Sequence, residues 1–308
     1  MLEVLAPREP SFLPRTILSS RAPQLIGQRS DKPTSVMAVV NMTPDSFSNG
    51  RKQPLRGLEP LINDLKHQMK QKHPLTILDI GGQSTRPRAP PVSYEEESSR
   101  ILPFIKAIRA DQALNHLTIS VDTYRAAVAE AAIRAGSDLI NDVSAGQMDP
   151  AMLPTIARLG CSCILMHMRG TPDTMMKLTD YPSGIIEGVG SELLARVREA
   201  EKAGIRRWRI ILDPGIGFAK TQAQNLELLR RFKELRDFEG LRGFPWVVGA
   251  SRKAFIGKIT GVEEASERKW GTAACVVAAI QGGADIVRVH DVEEMGQVVG
   301  MADAIWRV

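Results

Sequence analysis

The chain has 308 residues, 43% of them hydrophobic, and a net charge of +5, which suits one large globular unit carrying an extension. The basic surplus is mild and scattered, with no dense run or aromatic-interleaved patch, so a solvated surface or an anionic small molecule is favoured over nucleic acid as a partner. Cys161, Cys163 and Cys275 make no even disulfide framework, and no second cysteine pair joins Cys161, Cys163 and His167 in a metal site, so buried thiols in a reducing compartment are expected.

Residues 1–35 mix arginines with acids. Glu3, Arg8 and Glu9 interrupt any signal-peptide core, so a cytoplasmic location is expected, with a mitochondrial one as the alternative. The segment reads as an extension or interdomain remnant beside a single domain over 36–308.

The first patterned run is VMAVV, ending at Asn41. Seven more short, apolar runs follow: LTILDI carrying Asp79, LTISV before Asp122, DLI before Asn141, CSCILM before His167, IIL before Asp213, WVVGA before Ser251 and DIVRV before His290. A strand buried on both faces reads as a continuous apolar run rather than an alternation. Helical patterns lie between them. One covers 58–72, and an Ala-rich one covers 124–135 with Gly136 placed to cap it. Others cover 191–203 ending at Gly204, 225–238 closing at Gly240, 270–280 running into Gly282, and 292–306. Strand, helix and strand alternate with short returns, which predicts a parallel sheet with right-handed crossovers. The fold class is therefore α/β, a closed (β/α)8 TIM barrel with an N-terminal extension. In such barrels the carboxyl ends of the strands line one mouth, where chemistry is done. The longest apolar stretch, around Ala273 to Ile280, is far too short to span a bilayer, so no membrane association is expected.

Two connections are long: MTPDSFSNGRKQPL after Asn41, and GGQSTRPRAPPVS in the segment following Asp79. Both are rich in turn formers and leave the carboxyl end of a strand. They are expected to hang over the mouth as binding loops or lids. Arg86 and Arg88 beside Thr85 favour a binding role.

These residues resemble a known family. NMTPDSFSNG at 41–50 and DIGGQSTRP at 79–87 are similar to the two signature stretches of the dihydropteroate synthases. The match continues in order through SVDTY at 120–124, NDVS at 141–144, MHMRGTP at 166–172, DPGIGF at 213–218, SRK at 251–253 and RVHD at 288–291. It runs from Val36 to the end of the chain, and many ordered motifs at strand ends are far more specific than any lone motif. One departure is visible: Asn49, Gly50 and Arg51 stand where the family often has an acidic residue and paired glycines. The resemblance implies condensation of 6-hydroxymethyl-7,8-dihydropterin pyrophosphate with 4-aminobenzoate, giving 7,8-dihydropteroate and diphosphate. It also implies Mg²⁺, a homodimer, and in some eukaryotes a place within a fused folate-pathway chain.

The residue types suit that chemistry. A pterin edge presents a pair of N–H donors, which a carboxylate accepts in a bidentate manner. The resemblance gives that role to Asp213, places Asp122 where it favours positive charge on the ring, and adds Asn141, Met166, Gly217, Phe218 and Lys253 to the pterin pocket. Arg288 and His290 alternate on the last strand, share a face, and would clamp the diphosphate with Asn41 and Thr85. Asn41 is a neutral oxygen ligand suited to Mg²⁺. The 4-aminobenzoate side would comprise Asp45, Phe47, Ser84, Thr85, Arg86, Pro87 and Ser251. Asp122, Lys253, Arg288 and His290 are the expected catalytic groups. An aspartate near a strand end is commonly a helix N-cap, and Asp79 and Asp142 are read that way.

The nearest rival is a methyltetrahydrofolate-dependent methyltransferase built on the same kind of barrel, which would share Asp and Asn but need no diphosphate clamp. A non-catalytic interaction barrel would have lost the polar strand ends. The GIG at 215–217 is no dinucleotide fingerprint, since the third glycine and the ribose-binding acid are not in place.

Overall fold

The apolar runs pair side by side and in parallel. The computed structural model describes residues 33–43, 58–73, 75–83 and 90–307. Its strands are β1 (Ser35–Asn41), β2 (Ile77–Gly81), β3 (Thr118–Asp122), β4 (Leu139–Asp142), β5 (Ser162–Met166), β6 (Ile210–Asp213), β7 (Val247–Val248) and β8 (Ile286–Val289). They form one eight-stranded sheet in the order β6-β5-β4-β3-β2-β1-β8-β7. The ring closes between β6 and β7 through a bridge from Leu212 to Trp246, where the Leu212 N–H donates to Pro245 O at 2.9 Å.

The helices are α1 (Glu59–Gln68), α2 (Tyr94–Ala110), α3 (Ala126–Ala135), α4 (Met152–Leu159), α5 (Ile185–Lys202), α6 (Gln222–Arg230), α7 (Phe232–Arg236), α8 (Ala254–Thr260), α9 (Lys269–Gln281) and α10 (Val292–Trp306). Local signals set several ends. Ser93 caps α2 by accepting from Glu96 N, Thr221 and Gln224 form a capping box on α6, and Gly136 takes a left-handed φ of 115° behind α3.

Successive strand residues go to opposite layers, as the two-residue period requires. Met37, Ile77, Leu139, Ile164, Ile211, Val247 and Ile286 form a plug within the sheet. Their neighbours Ala38, Leu78, Ile140, Leu165, Leu212 and Val287 join a second, larger cluster with the helices. Each of the Val, Leu, Ile and Met side chains among them contributes roughly 1.5–3 kcal/mol when buried. The last helix ties back to the first strand, where Asp303 on α10 accepts from Thr34 N at 2.7 Å and Thr34 Oγ1 at 2.6 Å.

Two helices differ from their sequence-based outlines. The one expected over 191–203 already begins at Ile185, because Ile185, Ile186 and Val189 add a buried face ahead of it. The one expected over 225–238 breaks at Arg231, whose φ and ψ are −107° and 22°. The break lets Phe232 turn inward, edge-on to Trp246 at a centroid distance of 5.5 Å. The expected N-terminal extension falls largely on residues 1–32, outside the described residues.

Candidate active site

Where the plug ends, the polar residues begin. Asp79 lies inside β2, fully buried, and its carboxylate accepts from Ser120 Oγ at 2.6 Å, Asn141 Nδ2 at 3.0 Å and Arg288 Nε at 2.6 Å. Arg288 Nη2 donates to Asp122 Oδ2 at 2.8 Å. One guanidinium thus joins two carboxylates, and residues of β2, β3, β4 and β8 meet at a single point. The helix-cap reading of Asp79 is corrected here. Strand pairing aligns Asp79 with Val39 and Ser120, one residue pair below the row Asn41, Gly81, Asp122 and Asn141, which lies at or next to the strand ends. Asp142 caps no helix either: it accepts from Ser144 N at 2.8 Å and Gly146 N at 2.6 Å in the turn after β4, and the next helix begins only at Met152.

Burial, with the Asp79, Glu97 and Asp142 carboxylates, pushes the Asp122 carboxyl up to about 7 against the pull of Arg288. Burial works against the charge of Arg288 too, but Asp79 and Asp122 outweigh it and raise its pKa further. Asn41 stands close by: its Oδ1 lies 3.7 Å, and Asp122 Cβ 3.6 Å, from where a side chain on Gly81 would begin. A glycine there leaves that gap open at the mouth.

The opposite side is built by the turn after β6. Asp213 Oδ1 accepts from Gly215 N at 2.7 Å, and burial raises the carboxyl pKa while that bond, Lys253, Arg288 and Lys220 oppose the rise. Lys253 donates to Ile216 O and lies 4.3 Å over the Phe218 ring. Burial draws its pKa down to about 8, with Asp213 opposing. Gly217, at φ 83°, passes so close that an added Cβ would stand 2.7 Å from Lys253 Cδ. Met166, Val143, Met168, Met175 and Ala219 form an apolar wall with Phe218 against it.

After β7, Arg252 takes a left-handed φ of 62°, a conformation costly for a side-chain-bearing residue. Its guanidinium is held by Asp291 at 2.5 and 3.1 Å. On one side of this turn Ser251 Oγ accepts from His290 N at 3.2 Å and lies 3.0 Å from His290 Nδ1. On the other side stands Lys253.

The structure therefore brings Asp122, Asn141, Asp213, Lys253 and Arg288 into one electrostatically connected group, with Asn41, Met166, Gly217, Phe218, Ser251 and His290 around it. It differs from the sequence picture at Arg288, whose Nε and Nη2 are turned onto Asp79 and Asp122; only Nη1 makes no hydrogen bond to a described residue. Asp45, Phe47, Ser84, Thr85, Arg86 and Pro87 lie outside the described residues. From the sequence Asp79 reads only as a cap, and a hydrogen-bonded chain from Lys220 through His167 to Glu192 and Arg169 is missed. An acid enclosed by LTIL and I was the available signal for Asp79, since an isolated carboxylate does not stay buried without a partner.

Fold and site define a (β/α)8 barrel with a deep, charged pit at the carboxyl ends of its strands, suited to a small polar heterocycle. Residues 37–290 match the pterin binding enzymes. The chain is 48% identical over 275 residues to the folic acid synthesis protein fol1 of Pneumocystis carinii, covering 89% of this chain and 36% of that protein. It is 48% identical to the dihydropteroate synthase of a Synechocystis species, covering 90% of this chain and 91% of that one. The crystal structure of dihydropteroate synthase from Clostridium difficile in the presence of pteroic acid superimposes with a TM-score of 0.80 at 38% identity, over 90% of this chain and 98% of that one. The chain belongs to the pterin-binding enzymes and, among them, to the dihydropteroate synthase family. It spans about a third of the fungal relative and nearly all of the bacterial ones.

Proposed function

We propose that the chain condenses 6-hydroxymethyl-7,8-dihydropterin pyrophosphate with 4-aminobenzoate to give 7,8-dihydropteroate and diphosphate. The observation that carries this reading is the convergence of Asp122, Asn141, Asp213, Lys253 and Arg288 from five strand ends on one pit. Pteroic acid, present in the structure of the Clostridium difficile relative, is a pterin joined through a methylene to 4-aminobenzoate.

In this reading Asp213 accepts the paired N–H donors of the pterin edge, held to its angle by Gly215 N. Asn141, fixed by Asp79, offers its carbonyl oxygen to the ring. Lys253 donates to the pterin carbonyl, and Met166 and Phe218 cover the faces. Departure of diphosphate leaves a resonance-stabilised pterin methylene cation. Asp122, when ionised, stabilises that charge where it develops, the kind of electrostatic effect that is usually the largest in catalysis. Arg288 favours the ionised form of Asp122 against the burial that raises its pKa to about 7, and would offer Nη1 to the departing group, beside His290. The neutral arylamine then attacks, so no strong general base is needed. Asp45, Phe47, Ser84, Thr85, Arg86, Pro87 and Ser251 would bind the aminobenzoate and exclude water.

Among the described residues no group of three or more His, Cys, Asp or Glu is arranged to hold a metal. Asn41 is a single neutral oxygen donor near Asp122, and such a donor fits a Mg²⁺ that takes its other ligands from water and substrate phosphates. When bound, the ion would offset charge on the diphosphate. The proposal extends to a homodimer, supported by the exposed Trp270 (88%) and Met301 (63%) on α9 and α10. It extends also to a place in a fused folate-pathway chain, supported by the longer fungal relative, and to a cytoplasmic site of action. No helix of the described residues is long and apolar enough to cross a membrane.

The test mixes the purified chain with the pterin pyrophosphate, 4-aminobenzoate and Mg²⁺ and follows dihydropteroate. Product formation requiring both substrates is the expected result. A chain that binds pterin but instead transfers a methyl group from methyltetrahydrofolate would overturn the reading in favour of the methyltransferase.

A further inference from the structure

The turn after β6 holds three residues in the left-handed region: Gly215 (φ 65°), Gly217 (φ 83°) and Ala219 (φ 49°). Such a backbone stays in place only if its surroundings over-determine it. Its carbonyls are tied down one after another. Lys220 Nζ donates to Gly215 O at 3.0 Å and to Phe218 O at 2.9 Å, Lys253 Nζ donates to Ile216 O, and Tyr181 OH donates to Ala219 O at 3.1 Å. Lys220 is only 2% exposed, beneath the turn, and its third partner is His167 Nδ1 at 2.9 Å. Nothing in the proposed reaction uses this lysine.

Hydrogen-bond logic fixes its charge. His167 Nε2 lies 3.0 Å from Glu192 Oε2, and Arg169 Nε lies 3.0 Å from both Glu192 oxygens. Burial opposes ionisation of Glu192, but these bonds hold its pKa down to about 2. An ionised carboxylate only accepts, so His167 carries its proton on Nε2 and Nδ1 accepts. Burial keeps the ring neutral, its pKa drawn down to about 4. Lys220 must then donate to all three partners, which takes the three N–H of an ammonium; a neutral amine has two. Burial, with Lys253 and Arg169, draws the Lys220 pKa well below the ordinary lysine value; Asp213 and Glu192 favour the charge, and the three acceptors around Nζ require it.

We propose that Lys220, oriented through His167 and Glu192, is a positioning residue that holds the 215–219 turn in its pterin-binding shape and keeps a positive charge behind Asp213. The inference rests on the pterin reading above. The cations acting on Asp213 are Lys253, Arg288 and Lys220; the charges acting on Lys220 are Asp213, Lys253, Glu192 and Arg169. Loss of Lys220 removes two tethers and one of those cations.

Two variants of the full chain, Lys220→Met and the milder Tyr181→Phe, are compared with wild type while each substrate is varied in turn. Lys220→Met is expected to raise the pterin KM and calorimetric Kd at least roughly 10-fold, the effect of losing two buried hydrogen bonds. KM for 4-aminobenzoate should stay within about twofold, since that side of the site is untouched. The acid limb of pterin affinity should move to higher pH, because Asp213 then takes up a proton more readily. Tyr181→Phe should raise the pterin KM by about 2- to 5-fold. Imidazole ¹⁵N NMR of the wild-type chain should show His167 as the neutral Nε2–H tautomer from pH 6 to 8. Unchanged pterin constants in a folded Lys220→Met chain overturn the proposal. If that variant does not fold, a protonated or Nδ1–H His167 overturns it, since Lys220 could not then donate to the ring. An inactive wild type that binds no pterin removes the pterin reading itself, and this inference with it; an active wild type with indifferent variants removes this inference alone.

Discussion

The two carboxylates at the heart of the pit are held in opposite ways. Asp122 is held by charge: its oxygen meets Arg288 at 2.8 Å, and the same guanidinium serves Asp79 at 2.6 Å. Asp213 is held by backbone: Gly215 N donates to it at 2.7 Å, from a turn whose carbonyls are themselves tied by Lys220, Lys253 and Tyr181. A charge-held group can change protonation as a substrate arrives or a leaving group departs, which suits a carboxylate that must answer a developing cation. A backbone-held group keeps its angle, which suits a carboxylate that must recognise a fixed pattern of donors. One fold thus gives two aspartates different work through what surrounds them.

The largest expected effect breaks the charge-held side. Arg288→Met leaves Asp79 and Asp122 without their shared cation. Removing one partner of a buried ion pair costs about 3–5 kcal/mol, so urea unfolding should show a much lower midpoint, and turnover should fall below detection in a standard assay. Retention of wild-type stability would mean that the pair is not formed.

Asp122→Asn is subtler. Turnover should drop roughly 100- to 1000-fold, the usual result of removing one group that stabilises transition-state charge. Stability should respond to pH. The folded-state pKa of Asp122 is about 7, above its ordinary 3.8, so its contribution to stability is fully present below about 4 and is lost as pH rises through about 7. The wild type should therefore lose stability between pH 5 and 8 relative to the variant. Parallel denaturation curves at both pH values would contradict this.

Next comes the pH profile of kcat/KM for the pterin substrate, which reports groups on the free enzyme. Asp122 must be ionised, giving a rise through about 7, and Lys253 must be protonated, giving a fall through about 8. A narrow bell between those values is expected, and Asp122→Asn should flatten its acid limb. The smallest effect is Ser251→Ala, which removes the hydroxyl that accepts from His290 N at 3.2 Å. About 1 kcal/mol is at stake, a several-fold change in KM measurable by steady-state kinetics.

The barrel was readable because strands buried on both faces cannot hide: each apolar run found its strand, and Val292–Trp306 came out with its outlined ends. The break at Arg231 was not readable, because Arg is a good helix former and only the inward turn of Phe232 against Trp246 explains it. On the site, Asp122, Asn141, Asp213, Lys253 and Arg288 stood out as polar residues ending or following apolar runs. Asp79 did not, since its role depends on a register that places it level with Ser120, beneath Asn141. Lys220 was hidden for another reason. A lysine just before a helix cap reads as a solvated charge, and only the fold of the preceding turn buries it.

The central claim is that groups spread along the chain grip one bound pterin at its two ends. A crystal structure with 6-hydroxymethyl-7,8-dihydropterin pyrophosphate tests it directly. The account predicts the 2-amino and N3 edge within hydrogen-bond distance of Asp213, the ring carbonyl at Lys253, and the diphosphate beside Arg288 and His290. A pterin seated away from Asp213, or reversed so that its diphosphate points into the apolar plug, would contradict it.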